Sequence, residues 1–487
     1  MNMAPKDLRP HLTALSRHNN LPSESELQEA FELRSKSQED LLQVDTEIQR
    51  LQEKRAGIQR SIDTYNIILS PARRLVPDIL RETFYHYFPD SRNPTLSATE
   101  APMLLTRVCS IWRAIALTSP LIWSKLHISL PGNPSLSSGY GISLSSTAIA
   151  KRYQVFSKVM ELRCRAVKDW LTRSSTCPLS ISLSHPSGFI EVMNNSVDDR
   201  EAYDVTTPLF QQILSFSHRW KDVELSMPFS VYKKLESLIS GDSLPLLNTL
   251  RSNIPWNDVA GLEDPDPIPV RFLRAPNLQR LSLNSPQLSQ KITMFPPIWG
   301  GLIDLRIQST IFDVDFFNLI KLCHNLVACQ VDNMQVLWDS PDLPQAEVII
   351  PTLQMIKINE LGGVSHVVAA IHAPNLKSLD YRFPARYRDH ELHESTLMCA
   401  DTLLSLVEKG ASTLRKLTLE PQHLRPEDIA TFLRLANGVS HLVLRCTLFD
   451  FGAVEHDALG RDFLISICSQ LTAIPGLEIV YSPNSKF

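Results

Sequence analysis

Ala275-Pro276-Asn277-Leu278-Gln279-Arg280-Leu281-Ser282-Leu283 returns 98 residues further on, from 275 to 373, as Ala373-Pro374-Asn375-Leu376-Lys377-Ser378-Leu379-Asp380-Tyr381. The offset is four units of about 24–25 residues, within the range of short solenoid repeats. Intermediate copies fall where that period places them. Leu302-x-x-Leu305-x-Ile307, Leu326-x-x-Cys329-x-Val331 and Leu353-x-x-Ile356-x-Ile358 fill the gap. Leu414-x-x-Leu417-x-Leu419, Val439-x-x-Leu442-x-Leu444 and Ile474-x-x-Leu477-x-Ile479 follow, and Trp220-x-x-Val223-x-Leu225 and Leu247-x-x-Leu250 are fainter copies upstream.

In L-x-x-L-x-L the last two apolar residues alternate on a short strand, and the first is buried in the turn before it. One unit cannot cover its own apolar face, so neighbours must stack. Helical stretches lie between the strands. Pro426-Glu427-Asp428 opens one, with Ile429, Phe432, Leu433 and Leu435 on its apolar side and Gly438 as terminator, and Ser365–Ile371 is a shorter one. Strand plus helix per unit predicts an α/β leucine-rich-repeat arc over 150–482. The arc is irregular: few units carry the Asn or Cys expected after the third leucine, and Leu376 and Leu414 are too far apart without an insertion. Thirty-three prolines against 16 glycines imply turns set by a fixed φ.

Upstream, residues 1–22 read as a loose polar tail. Over 23–69 a long helix is expected, capped by Ser23, with Glu24, Glu26 and Glu29 near its positive end. Leu41, Val44, Ile48, Leu51, Ile58, Ile62, Tyr65 and Leu69 alternate in steps of three and four, with Arg55 at the single polar seam position. That coiled-coil-like pattern lasts for about four heptads. It reads first as an amphipathic helix folded back on its own chain, and otherwise as self-association through 27–69. Ser70-Pro71 stops it, because a residue before proline is pushed out of the helical region. Three short helices are expected over 70–130. Leu80, Phe84, Tyr87 and Phe88 share one face of the first, and the second starts near Thr99–Pro102 with Leu105, Val108, Trp112 and Ile115 buried. A Ser/Gly/Pro-rich linker follows over 131–149, then a helix from Ile149 to Thr172.

The 70–130 stretch combines Leu75-Val76-Pro77-Asp78-Ile79-Leu80, then Val108-Cys109-Ser110-Ile111-Trp112-Arg113-Ala114-Ile115-Ala116, then Leu121-Ile122-Trp123. Order and content resemble an F-box, a small helical module. The preceding coil and the Ser-Pro-x-Arg-Arg-Leu junction look like a group of F-box proteins abundant in mushroom-forming fungi. The resemblance implies docking on a Skp-type adaptor, and through it a cullin, by Leu75, Pro77, Ile79, Leu80, Val108, Cys109 and Trp112. It departs from the family in its connector, Pro89–Met103, which is longer than a compact F-box allows. The implied role is the substrate-recruiting subunit of a Skp–cullin–F-box ubiquitin ligase, holding an unknown protein target on the repeats. The alternative is a leucine-rich-repeat scaffold unconnected to ubiquitin.

A hydrophobic content of 43% and a charged content of 21% are those of an ordinary globular protein. A net charge of −4 does not favour nucleic acid as partner. The eight cysteines are scattered, with no C-x-x-C, and read as reduced thiols of a cytoplasmic or nuclear protein. No signal peptide and no apolar run of membrane-spanning length is expected. The sequence carries no phosphate-loop, dinucleotide, serine-hydrolase or zinc-protease motif, so neither enzyme activity nor a cofactor is expected. Cys323-His324 with Cys329 lacks a second ligand pair for zinc, and Cys329 occupies a core position of a repeat. Arg382–His390 is a candidate contact loop for an acidic or phosphorylated partner, read first as an ordinary exposed loop.

Overall fold

A computed structural model describes residues 10–18, 20–89, 91–130, 146–185, 206–240, 244–254, 270–285, 298–335, 347–361, 366–382, 392–410, 412–419, 426–435, 438–446 and 478–483. The chain is mixed α/β and divides into two compact units, Met1–Leu80 and Arg81–Phe487.

The described residues of the first unit are almost wholly helical. α1 (Pro10–Arg17) replaces part of the expected loose tail. It is held by His11, whose ring nitrogen lies 3.0 Å from the Glu29 carboxylate, and by the buried Leu12. α2 (Glu24–Leu69) is one helix of 46 residues. Its start is a capping box: Glu26 accepts from the Ser23 backbone N–H at 2.8 Å, as the sequence implies for Ser23. Ser70 has left helical geometry, with ψ near 126°, and ends the helix before Pro71. No residue of α2 is buried, and the apolar seam lies open along its whole length. Among the described residues none covers this seam, so the expected fold-back of the helix on its own chain is not seen among them.

In the second unit, parallel strands dominate. The strands are β1 (Lys125–Ser129), β2 (Leu179–Ser184), β3 (Trp220–Ser226), β4 (Thr249–Asn253), β5 (Arg280–Asn284), β6 (Asp304–Phe312), β7 (Ala328–Gln335), β8 (Val348–Ile349), β9 (Met355–Leu361), β10 (Ile371–His372), β11 (Ser378–Arg382), β12 (Lys416–Leu419), β13 (His441–Cys446) and β14 (Glu478–Pro483). Among the described residues twelve of them form one sheet in chain order, and β8 pairs with β10 outside it. Every pairing is parallel, which requires a crossover after each strand. Several crossovers are helices: α5 (Ser146–Arg173), α6 (Thr207–Leu214), α7 (Phe229–Leu238), α8 (Asp313–Ile320), α9 (His366–Ala369), α10 (Leu392–Gly410) and α11 (Pro426–Leu435).

The repeat read in the sequence sets the register. Val223 faces Leu250, then Leu281, Leu305, Cys329, Ile356, Leu379, Leu417 and Leu442, one from each successive strand. All of these are buried. A one-residue slip in any strand would turn its whole apolar set to solvent, so the pattern alone fixes the pairing. Two strands of the main sheet have no counterpart in the repeat pattern. β1 and β2 carry Leu126 and Ile128 opposite Ile181 and Leu183 but lack a leucine three residues upstream. The sheet thus begins at Lys125, inside the 70–130 stretch.

Asparagines tie the strand ends together. Asn284 Nδ2 donates to Asn253 Oδ1 at 2.9 Å, Asn333 Nδ2 to the Gln308 carbonyl at 2.9 Å, and Asn359 Nδ2 to the Asp332 carbonyl at 2.8 Å. A second set, Asn277, Asn325 and Asn375, sits in the turn before a strand and donates to the carbonyls of Pro245, Gly300 and Pro351, each in the preceding unit. Of the sequence expectations, most of the 131–149 linker, the basic stretch from Phe383 to His390, and Ile474 and Leu477 of the last repeat lie outside the described residues.

Candidate functional site

The residues expected to dock an adaptor divide between the two units. Leu75, Pro77, Ile79 and Leu80 belong to the first. After the 3₁₀ turn Pro71–Arg74, α3 (Pro77–His86) begins with Pro77 at its first position, where the missing N–H is no loss. Leu75, Val76 and Ile79 are 43%, 58% and 52% exposed, and Pro77 is exposed too. Leu80 is buried, and its N–H closes the first turn onto the Val76 carbonyl. The opening of the motif thus presents three large apolar side chains to solvent and turns one inward.

Val108, Cys109 and Trp112 belong to the second unit. The second helix, α4 (Ser110–Leu117), starts about ten residues later than expected. Residues 101–104 are turns and Leu105–Arg107 a single 3₁₀ turn. Cys109 explains the break: its backbone is extended, with φ near −158°, and its Sγ accepts from the Trp112 N–H as an N-cap. Val108 lies before the cap and is 54% exposed, so its expected place on a buried helix face is corrected. Ile111, read only as part of the motif, is exposed as well. Trp112 is half-buried, its ring tilted against the buried Phe84 at 5.0 Å between centroids. Phe84 is fully inside, whereas Trp112, expected to be buried, is so only partly. Cys109 is exposed, whereas Cys323 and Cys329 are buried. Burial pushes the Cys323 thiol up to about 12 and the Cys329 thiol higher still, as apolar surroundings disfavour a thiolate.

The long Pro89–Met103 connector has a structural use. Pro94 accepts from the His127 N–H at 2.7 Å, and Thr95 bridges to His127 in parallel fashion. Asn93 Nδ2 donates to the Ser180 carbonyl. Glu100 accepts from both the N–H and hydroxyl of Thr95 and pairs with Arg92 at 2.6 Å, and these bonds hold its carboxyl below the ordinary range despite partial burial. The connector therefore covers the outer edge of β1, where unpaired strand groups would otherwise be open to foreign strands.

A second surface is the polar face of the sheet. Side chains alternate along each strand, so the residues between the buried ones point away from the core. One row across the strands reads Glu224, Arg251, Ser282, Arg306, Gln330 and Lys357. Arg280 and Asp304 stand in the next row. All of these but Lys357 line an open cleft of about 370 Å³. Arg306 pairs with Asp304 at 3.2 Å and Lys357 with Asp332 at 2.9 Å. Three arginines against Glu224 and Asp304 leave the middle of the cleft positively charged.

Among the described residues no helix is long and apolar enough to cross a membrane, and no group of three metal-ligating side chains converges. No protein-family model matches the chain, and no curated protein matches it.

Proposed function

We propose that this protein is the substrate-recruiting subunit of a Skp–cullin–F-box ubiquitin ligase, without catalytic activity of its own. In this reading residues 70–130 are the F-box, and the parallel sheet with its helical crossovers is an irregular leucine-rich-repeat arc. The observation that carries the proposal is the exposure of Leu75, Val76 and Ile79 around Pro77. Clustered apolar side chains in solvent are a liability unless a partner covers them. The mechanism is tethering. A target held on the repeat surface meets the ubiquitin-charged enzyme at high effective concentration, which turns transfer to its lysines into an intramolecular event. The arginines of the sheet cleft select an acidic segment of the target, because guanidinium groups take carboxylates in bidentate pairs. The protein would work in cytoplasm or nucleus, where such ligases act.

The test is capture of a purified Skp adaptor by the full chain, with Leu75→Ala/Pro77→Ala as control. Wild type is expected to retain adaptor and the double variant to lose at least tenfold in affinity. Equal capture by both, or capture by neither, would favour the scaffold reading without ubiquitin.

A further inference from the structure

The open seam of α2 has an occupant that its charges identify. Leu41, Ile48, Arg55, Ile62 and Leu69 take the first core position of successive heptads, and Val44, Leu51, Ile58 and Tyr65 the second. The eight apolar residues are between 44% and 62% exposed. Charge is distributed unevenly along the same helix. Residues 39–47 carry Glu39, Asp40, Asp45 and Glu47 and no Lys or Arg, while residues 50–60 carry Arg50, Lys54, Arg55 and Arg60 against Glu53 alone.

We propose that α2 pairs with α2 of a second copy, antiparallel, about a twofold axis between Gln49 and Arg50. The alternative parallel, in-register pair is unfavourable in two places. It stacks Arg55 on Arg55 inside the seam, and it sets Asp40 beside Asp45 of the other helix across the flanking positions; like charges there oppose pairing. The antiparallel register removes both conflicts. Its layers are Leu41 on Ile58, Val44 on Arg55 and Ile48 on Leu51, each formed twice by symmetry, as a closed twofold interface requires. Each Arg55 then lays its aliphatic stem over Val44 and carries its charge into the acidic 39–47 stretch of the other copy. Glu47 and Lys54 occupy equivalent flanking positions and meet across the axis in two symmetric ion pairs. Glu47 already accepts from Arg50 on its own helix at 2.6 and 2.7 Å. A carboxylate has about four acceptor sites, so Lys54 of the second copy can be added. The pairing continues outward with Arg34 over Tyr65, Ser37 on Ile62 and Ala30 on Leu69. The overlap exceeds the roughly three to four heptads that sustain a coiled coil.

Sedimentation of the full chain at micromolar concentration should give a dimer. An equal mixture of unlabelled and ¹⁵N-labelled chains, treated with a zero-length carbodiimide, should give Glu47–Lys54 cross-links joining light to heavy peptides. Glu47→Lys and Lys54→Glu should each weaken the dimer about tenfold, and the combined E47K/K54E chain should recover it. Unchanged far-UV helicity in each variant excludes misfolding. A monomer, a dimer lacking mixed-isotope Glu47–Lys54 links, or a double variant no better than the single ones would overturn the proposal.

Discussion

Glu236 and Arg219 show how single polar residues hold the second unit together from inside. Glu236, on α7, is wholly buried, and its carboxyl accepts from Tyr232 Oη at 2.8 Å and from the backbone N–H groups of Arg271 at 2.7 Å and Phe272 at 3.2 Å. Burial, opposed by those bonds, raises its pKa above the ordinary carboxyl value of 4.5. The folded state therefore holds this proton where the unfolded chain has lost it. The contribution is fully present below the ordinary value and declines as pH rises toward the raised one. Glu236→Gln keeps size and removes the ionisation, but its amide turns an N–H toward the Arg271 N–H. We expect a loss of about 1–3 kcal/mol at acidic pH. The gap to wild type should narrow as pH rises above about 4.5, read from urea denaturation at several pH values.

Arg219 is buried beneath the end of α5, where the last carbonyls of a helix lack partners. Its guanidinium donates to the carbonyls of Leu171, Ser174 and Cys177 and to the Ser174 hydroxyl. A lysine offers one charge point in place of that planar fork. Arg219→Lys should cost about 1–3 kcal/mol in chemical denaturation. The cysteines give a cheaper check. Maleimide should modify Cys109 in the native protein and leave Cys323 and Cys329 untouched until denaturant is added; rapid native labelling of either buried thiol would contradict their packing.

At the scale of elements, the repeat strands and α2 were the most legible parts of the sequence, for different reasons. The apolar ladder repeats because each strand must offer the same two inward positions to its neighbours. Leu305 stands in its centre, fully buried between Leu281 and Cys329. Leu305→Ala should destabilise the second unit by about 2–5 kcal/mol in thermal or urea unfolding, since both flanking rungs lose contacts. α2 was legible because caps are local: Ser23, Glu26 and Pro71 mark its ends without reference to any other element. Its environment was not legible, and no fold-back is seen among the described residues. A heptad pattern records that a partner exists and not which chain supplies it. α4 was misplaced because the 3.6-residue spacing of Leu105, Val108, Trp112 and Ile115 runs on through a break set by the extended backbone at Cys109. Periodicity carries no signal for that torsion.

At the scale of the whole molecule, each unit carries a surface of its own. Exposed apolar residues cluster at the start of α3, and charged ones line the outer face of the sheet. If the first docks an adaptor and the second a target, they should fail independently. Arg251→Ala/Arg280→Ala should leave adaptor capture unchanged and abolish recovery of an acidic target segment in the same pull-down, whereas Leu75→Ala/Pro77→Ala should do the reverse. Loss of both functions in either variant would mean that the mutations act through folding.

The sequence by itself determined the strand repeat, its register and both ends of the long helix. Each rests on spacing or on contacts within a few residues, and these are written in order along the chain. Only the tertiary structure decided that the sheet begins at Lys125, that the long connector covers its first edge, and that Val108 faces water while Leu80 does not. Those outcomes depend on partners as distant as Asn93 from Ser180, and nothing in the local pattern encodes a contact between them.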